Sequence, residues 1–187
     1  MRICVYAGSN PGANPAYAEA AAELARLLAG RGIGVVYGGG KVGLMGILAD
    51  TALAAGGEVI GVIPQDLMDR EVGHGGLTEL HVVGSMHERK ALMAELSDGF
   101  VALPGGAGTL EELIEVYTWS QLGLHDKPMG VLNVAGYYDG LAALLDHAVQ
   151  EGFLRAQHRA ALHTAATPGE LLQQFVGWRP ATVGKWL

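Results

Sequence analysis

Phe100-Val101-Ala102-Leu103-Pro104-Gly105-Gly106-Ala107-Gly108-Thr109-Leu110-Glu111-Glu112 is the stretch whose reading decides the fold. Four apolar residues read as a strand, the glycines as a tight turn, and Thr109 as the opening of a helix. A helix start gathers unpaired N–H groups at the positive end of the helix dipole, which suits a phosphate. Glycines remove the Cβ atoms that would keep a ligand from the backbone. Glu112, one turn further on, is a carboxylate beside this anion site. It has two readings. Thr109-Leu110-Glu111-Glu112 fits the capping box, in which the glutamate only accepts a backbone N–H. Alternatively, the carboxylate faces a cation that forms beside the phosphate during a reaction.

Outward from this stretch, short apolar runs alternate with amphipathic segments. Arg2–Tyr6, Gly34–Tyr37, Glu58–Ile63, Glu79–Val83, Phe100–Leu103 and Met129–Asn133 read as strands covered on both faces, because most lack in/out alternation. Helices are expected near 15–30, 43–55, 86–97, 109–122 and 138–151. Asn14 caps the first, Pro15 takes its first position, and Gly30 and Gly32 mark its end. Pro64 to Thr78 reads as a long loop, and Thr167-Pro168-Gly169-Glu170 as the start of a last short helix. This β-α alternation predicts an α/β fold: a Rossmann-like, doubly wound parallel sheet in one domain, residues 1–178, with 179–187 as a tail.

Composition narrows the function. Half of the 187 residues are hydrophobic and 17% are charged, which argues against a disordered chain. The net charge of −7, without a basic stretch, argues against a nucleic-acid partner. No apolar run approaches the ~20 residues of a membrane span and the N-terminus does not read as a signal peptide, so a cytoplasmic protein without a membrane partner is expected. The single Cys4 excludes an intrachain disulfide and reads as a buried structural thiol.

Two further glycine turns follow strands, Gly8-Ser9-Asn10-Pro11-Gly12 and Gly38-Gly39-Gly40-Lys41-Val42-Gly43. In a doubly wound sheet they emerge with the 104–112 turn at the carboxyl edge. Neither a Walker sequence nor a G-x-G-x-x-G turn is present, which disfavours a full dinucleotide but not a mononucleotide. Ser85 reads as the cap of the 86–97 helix, with Glu88 completing its box. Arg89 and Lys90 then stand early in that helix, where the dipole disfavours cations; this placement hints at a bound anion, the alternative being a solvated surface face. The histidines show no metal spacing, so no metal is expected, and Ser9 lies in no G-x-S-x-G nucleophile elbow, which argues against a serine hydrolase.

Tyr37–Gly46, Met86-His87-Glu88-Arg89-Lys90 and Pro104–Glu112, with Gln121-Leu122-Gly123 and Gly136-Tyr137-Tyr138-Asp139, together resemble the LONELY GUY (LOG) family. Its members are cytokinin riboside 5′-monophosphate phosphoribohydrolases. The resemblance runs from Met1 to about Val176, with Asn10 standing where relatives often carry serine. It implies a homodimer that hydrolyses the bond between N9 of an adenine and C1′ of ribose 5-phosphate, acting on AMP or N6-prenyl-AMP. It makes Arg89 and Glu112 the catalytic pair and the 104–109 loop, with Gly105, Gly106, Gly108 and Thr109, the phosphate cradle. Ser9, Gly39, Gly40, Met86 and Lys90 complete the expected substrate-binding set. Such sequences have also carried a lysine decarboxylase label; with no recognisable pyridoxal-phosphate lysine motif, no cofactor is expected. A non-catalytic nucleotide-binding or carrier protein of the same fold is the competing reading.

Overall fold

The parallel sheet has the order β4-β3-β2-β1-β5-β6-β7, seen in a computed structural model that describes residues 1–70 and 73–179. Its strands are β1 (Arg2–Tyr6), β2 (Gly34–Tyr37), β3 (Val59–Pro64), β4 (Glu79–Val83), β5 (Gly99–Ala102), β6 (Met129–Leu132) and β7 (Leu162–Ala165). The helices are α1 (Ala16–Gly30), α2 (Gly43–Ala54), α3 (Gln65–Met68), α4 (Met86–Glu95), α5 (Ala107–Gln121), α6 (Asp139–Gln150), α7 (Ala156–Ala161) and α8 (Pro168–Val176). From β1 the chain winds outward to β4, then returns to the other side of β1 for β5. The loops after β1 and β5 therefore diverge, which opens a crevice at the carboxyl edge.

The expected α/β doubly wound sheet is present, and its two faces explain why the strands looked uniformly apolar. In β1, Ile3 and Val5 enter one core with α1, α2 and α8. Cys4 and Tyr6 point the other way, into a core with Met93 of α4 and Leu113, Val116 and Tyr117 of α5. Burial pushes the Cys4 thiol pKa up to about 12, so it is an inert core group.

Asn14 does hold the start of α1, accepting the Ala16 N–H at 3.0 Å. Thr167 and Glu170 form the full capping box of α8. Other expectations are corrected. The 64–78 segment contains the short helix α3 and a bridge between Gly40 and Gly73. The strand β7 and helix α7 were not expected: β7 is a short edge strand with a half-polar sequence, and α7 is brief. His158 of α7 is buried. The expected tail, apart from Arg179, lies outside the described residues. No described helix is long and apolar enough to cross a membrane.

Candidate active site

Backbone bonds tie the three glycine turns together at the crevice. The Gly8 N–H donates to the Pro104 carbonyl at 3.1 Å, and the Leu44 N–H to the Gly8 carbonyl at 3.0 Å. Beside this junction lies a cavity of about 430 Å³, lined by Ser9, Gly38, Gly40, Arg89, Thr109 and Glu112 among others. Its volume is in the ~300–1,000 Å³ range of small-molecule sites. A second cavity of about 310 Å³ adjoins it, lined by Asn10, Tyr17, Gly105 and Tyr137. Ser9 and Gly106 face both.

Arg89 and Glu112 meet in the wall of the larger cavity. Arg89 Nη1 lies 3.1 Å from Glu112 Oε1, and the residues are only 8% and 7% exposed. Arg89 Nε also donates to the Val62 carbonyl of β3 at 3.1 Å. Gly38 makes room for this arrangement, since a Cβ there would fall on Arg89 Nη2. Burial pushes the Glu112 carboxyl pKa above the ordinary 4.5, and the Arg89 guanidinium works against that rise. The result is a desolvated carboxylate with its charge balanced by one fixed cation.

The glycine loop supplies the other half of the site. Gly106 is the N-cap of α5, and no side chain caps this end. The first N–H groups of α5 have no carbonyl behind them, and Gly106 to Thr109 line the cavity. α2 also begins at the cavity without a side-chain cap. By contrast, Ser85 caps α4 and Thr167 caps α8. Both helix starts at the cavity, those of α2 and α5, are left open, as an anion site requires.

Comparison with known proteins shows the family. A sequence profile described as "Possible lysine decarboxylase" matches residues 45–175. A rice protein named "Probable cytokinin riboside 5'-monophosphate phosphoribohydrolase LOGL1" is 54% identical over 174 residues, 93% of this chain and 78% of that protein. Arabidopsis thaliana LOG5, named for the same activity, is 48% identical over 98% of this chain and 80% of its own. The chain belongs to the LOG family. Among solved structures, the molybdenum cofactor carrier protein of Chlamydomonas reinhardtii aligns with a TM-score of 0.70 at 21% identity, over 95% of this chain and 98% of that one. The structure of TM1055 aligns with a TM-score of 0.72 at 24% identity, over 95% and 99% of the two chains. These two likenesses establish the shared fold.

For this LOG chain, the structure gathers Ser9, Gly40, Arg89, Gly106, Gly108, Thr109 and Glu112 around one cavity, with Gly105 in the adjoining one. Three expected residues do not line either cavity. Lys90 Nζ binds Glu111 at 2.5 Å and Glu115 at 3.0 Å, both on α5. Met86 is half-exposed, its sulfur 3.9 Å from Arg89 Nη1. Gly39 turns away at φ 74°, and its carbonyl accepts the His74 N–H at 2.8 Å. The cations early in α4 are thus answered by carboxylates of α5 and not by a ligand alone.

The capping readings are also corrected. α5 starts at Ala107, two residues before the expected Thr109, so Thr109 is already inside the helix and Glu112 caps nothing. In α4 the Ser85 hydroxyl accepts the Glu88 N–H at 3.1 Å, but Glu88 reaches back to the Gly84 N–H at 2.8 Å instead of closing the box on Ser85. Sequence reasoning gave no role to Gly38, Tyr17 or Tyr137. Gly38 stood in a quoted triplet, but its partner Arg89 is distant in sequence. The profile's decarboxylase description does not fit the cavity: a pyridoxal Schiff base needs a lysine amine, and no lysine lines it among the described residues.

Proposed function

We propose that this chain hydrolyses the N-glycosidic bond of N6-modified adenosine 5′-monophosphates, releasing the free base and ribose 5-phosphate. The observation that carries the reading is the buried Arg89–Glu112 pair, 3.1 Å apart, in a cavity beside the open start of α5. Relatives of about half identical sequence are named for this reaction.

In the proposed reaction the C1′–N9 bond breaks, its electron pair leaves with the base, and a water oxygen bonds to C1′. The ribose gains oxocarbenium character on the way. Glu112 supplies the negative charge that this ring needs, either directly or through the ribose hydroxyls and the attacking water. Arg89 fixes the carboxylate and offsets negative charge on the departing purine. A guanidinium stays protonated, so the proton that the base acquires comes from water or another group. The backbone of Gly105–Thr109 holds the 5′-phosphate, and that anchorage sets the ribose against Glu112. Arg89 and Glu112 are the catalytic residues of this reading, in a cytoplasmic homodimer.

The test is incubation with isopentenyladenosine 5′-monophosphate, AMP and adenosine, with products separated by chromatography. Free base and ribose 5-phosphate are expected from the monophosphates, and at least about tenfold less product from adenosine. Intact nucleotide after prolonged incubation would leave a binding or carrier role. Equal turnover of adenosine would remove the phosphate cradle.

A further inference from the structure

Two adjacent tyrosines play no part in the chemistry above, yet one holds the phosphate loop and the other the residue that leads into it. Tyr138 Oη donates to the Leu103 carbonyl at 2.7 Å, and Tyr137 Oη donates to the Gly105 carbonyl. The carbonyl between these two, that of Pro104, accepts the Gly8 N–H at 3.1 Å. Three successive carbonyls leading into α5 are therefore held, two of them by side chains from the turn after β6.

That turn is built under strain. Ala135, at φ 50°, is the one non-glycine residue with positive φ among the described residues. Such a conformation is disfavoured for a residue with a Cβ and persists only where its surroundings enforce it. Asn133 does so: its Oδ1 accepts the Tyr138 N–H at 2.7 Å, while its Nδ2 donates to Asp139 Oδ1 at 2.7 Å. The Tyr137 ring is then braced edge-on by Tyr17 and Tyr138, with centroids 5.7 Å and 5.0 Å away. Tyr137 as a whole is 40% exposed, so core packing does not account for its placement.

We propose that Tyr137 is a positioning residue for the 5′-phosphate, its hydroxyl holding the Gly105 carbonyl so that the Gly106 N–H is aimed at the anion. In a trans peptide the C=O and N–H point in opposite directions. A carbonyl drawn to Tyr137 therefore turns the Gly106 N–H away from Tyr137. Glycines on both sides leave this peptide plane free to rotate, and the rotated form would present a carbonyl oxygen to the phosphate. The tyrosine hydroxyl removes that form before the nucleotide arrives. Gly106 lines the Arg89–Glu112 cavity as well as the smaller cavity on the Tyr137 side, so its orientation matters at the place where the two meet. This inference rests on the phosphate-cradle reading given above.

Tyr137→Phe deletes the hydroxyl and keeps the ring. Calorimetric titration with AMP and with adenosine, and kcat and KM for AMP, compare it with the unaltered protein. The expected result is a rise of about five- to tenfold in both the Kd and the KM for AMP, the loss of one hydrogen bond to the loop. Adenosine affinity stays unchanged and kcat stays within about twofold, because Tyr137 acts through the phosphate loop alone. Unchanged AMP affinity in Tyr137→Phe, while the unaltered protein still prefers AMP to adenosine, overturns this inference and leaves the cradle standing. Equal losses for AMP and adenosine overturn it too, since they report a general structural defect. An unaltered protein that binds AMP no better than adenosine refutes the cradle, and the role of Tyr137 falls with it.

Discussion

Glu112 shows how far one residue can be read from its neighbours. Spacing alone allowed a helix cap or a catalytic carboxylate, and both use the same Thr-x-x-Glu pattern. The structure removes the cap, because Gly106 is the N-cap and the carboxylate instead meets Arg89 at 3.1 Å. Glu112→Gln is expected to lower kcat by roughly 10²-fold or more while nucleotide binding stays measurable by calorimetry. Turnover near that of the unaltered protein would reduce the carboxylate to a structural role. Since burial pushes its pKa above 4.5, the acid limb of kcat/KM should bend above that pH. A profile flat down to pH 4.5 would remove the requirement for an anionic Glu112. Gly38 is a second case at this scale. A Cβ in Gly38→Ala falls on Arg89 Nη2, so kcat/KM should drop about tenfold or more with the circular dichroism spectrum unchanged. Full activity in Gly38→Ala would show that Arg89 has room to move without consequence.

At the scale of elements, the site depends on two helices that share one core on the same face of the sheet. α4 brings Arg89 and α5 brings Glu112, and Lys90 links the same two helices through Glu111 and Glu115. Lys90→Met should leave those carboxylates facing each other and cost about 1–3 kcal/mol in thermal denaturation, with part of the activity lost through a loosened Arg89–Glu112 contact. An unchanged melting temperature would show that the link carries no weight. Element types were legible in the sequence where they are long or wholly buried, as in β1, β2 and α1. Element ends were less so: α5 begins at Ala107 because a glycine N-cap leaves no side-chain signal. β7 was not legible at all. Its Leu162-His163-Thr164-Ala165 sequence is short and half polar, and only pairing with β6 makes it a strand.

For the whole molecule, burying the carboxylate has a thermodynamic sign. A raised pKa means that the folded state binds the Glu112 proton more tightly than the unfolded state does. The stability gained from that proton is present below pH 4.5 and is lost as pH rises through the folded-state pKa. Urea titrations of the unaltered protein and Glu112→Gln should therefore diverge in favour of the variant as pH climbs from below 4.5 to neutral. A constant difference across that range would mean that Arg89 compensates the burial in full. The alternation of apolar runs and glycine turns sufficed to determine a doubly wound sheet, and the three glycine turns sufficed to point to the crevice at its carboxyl edge. Both follow from local chemistry: a chain covered on two faces must be apolar, and a turn close to a ligand must lack Cβ atoms. Which charges meet in the crevice was decided only in three dimensions. Arg89, Gly38 and Glu112 lie on separate elements, as do Tyr137 and Gly105, and their contacts depend on the order in which β1, β2 and β5 are laid side by side.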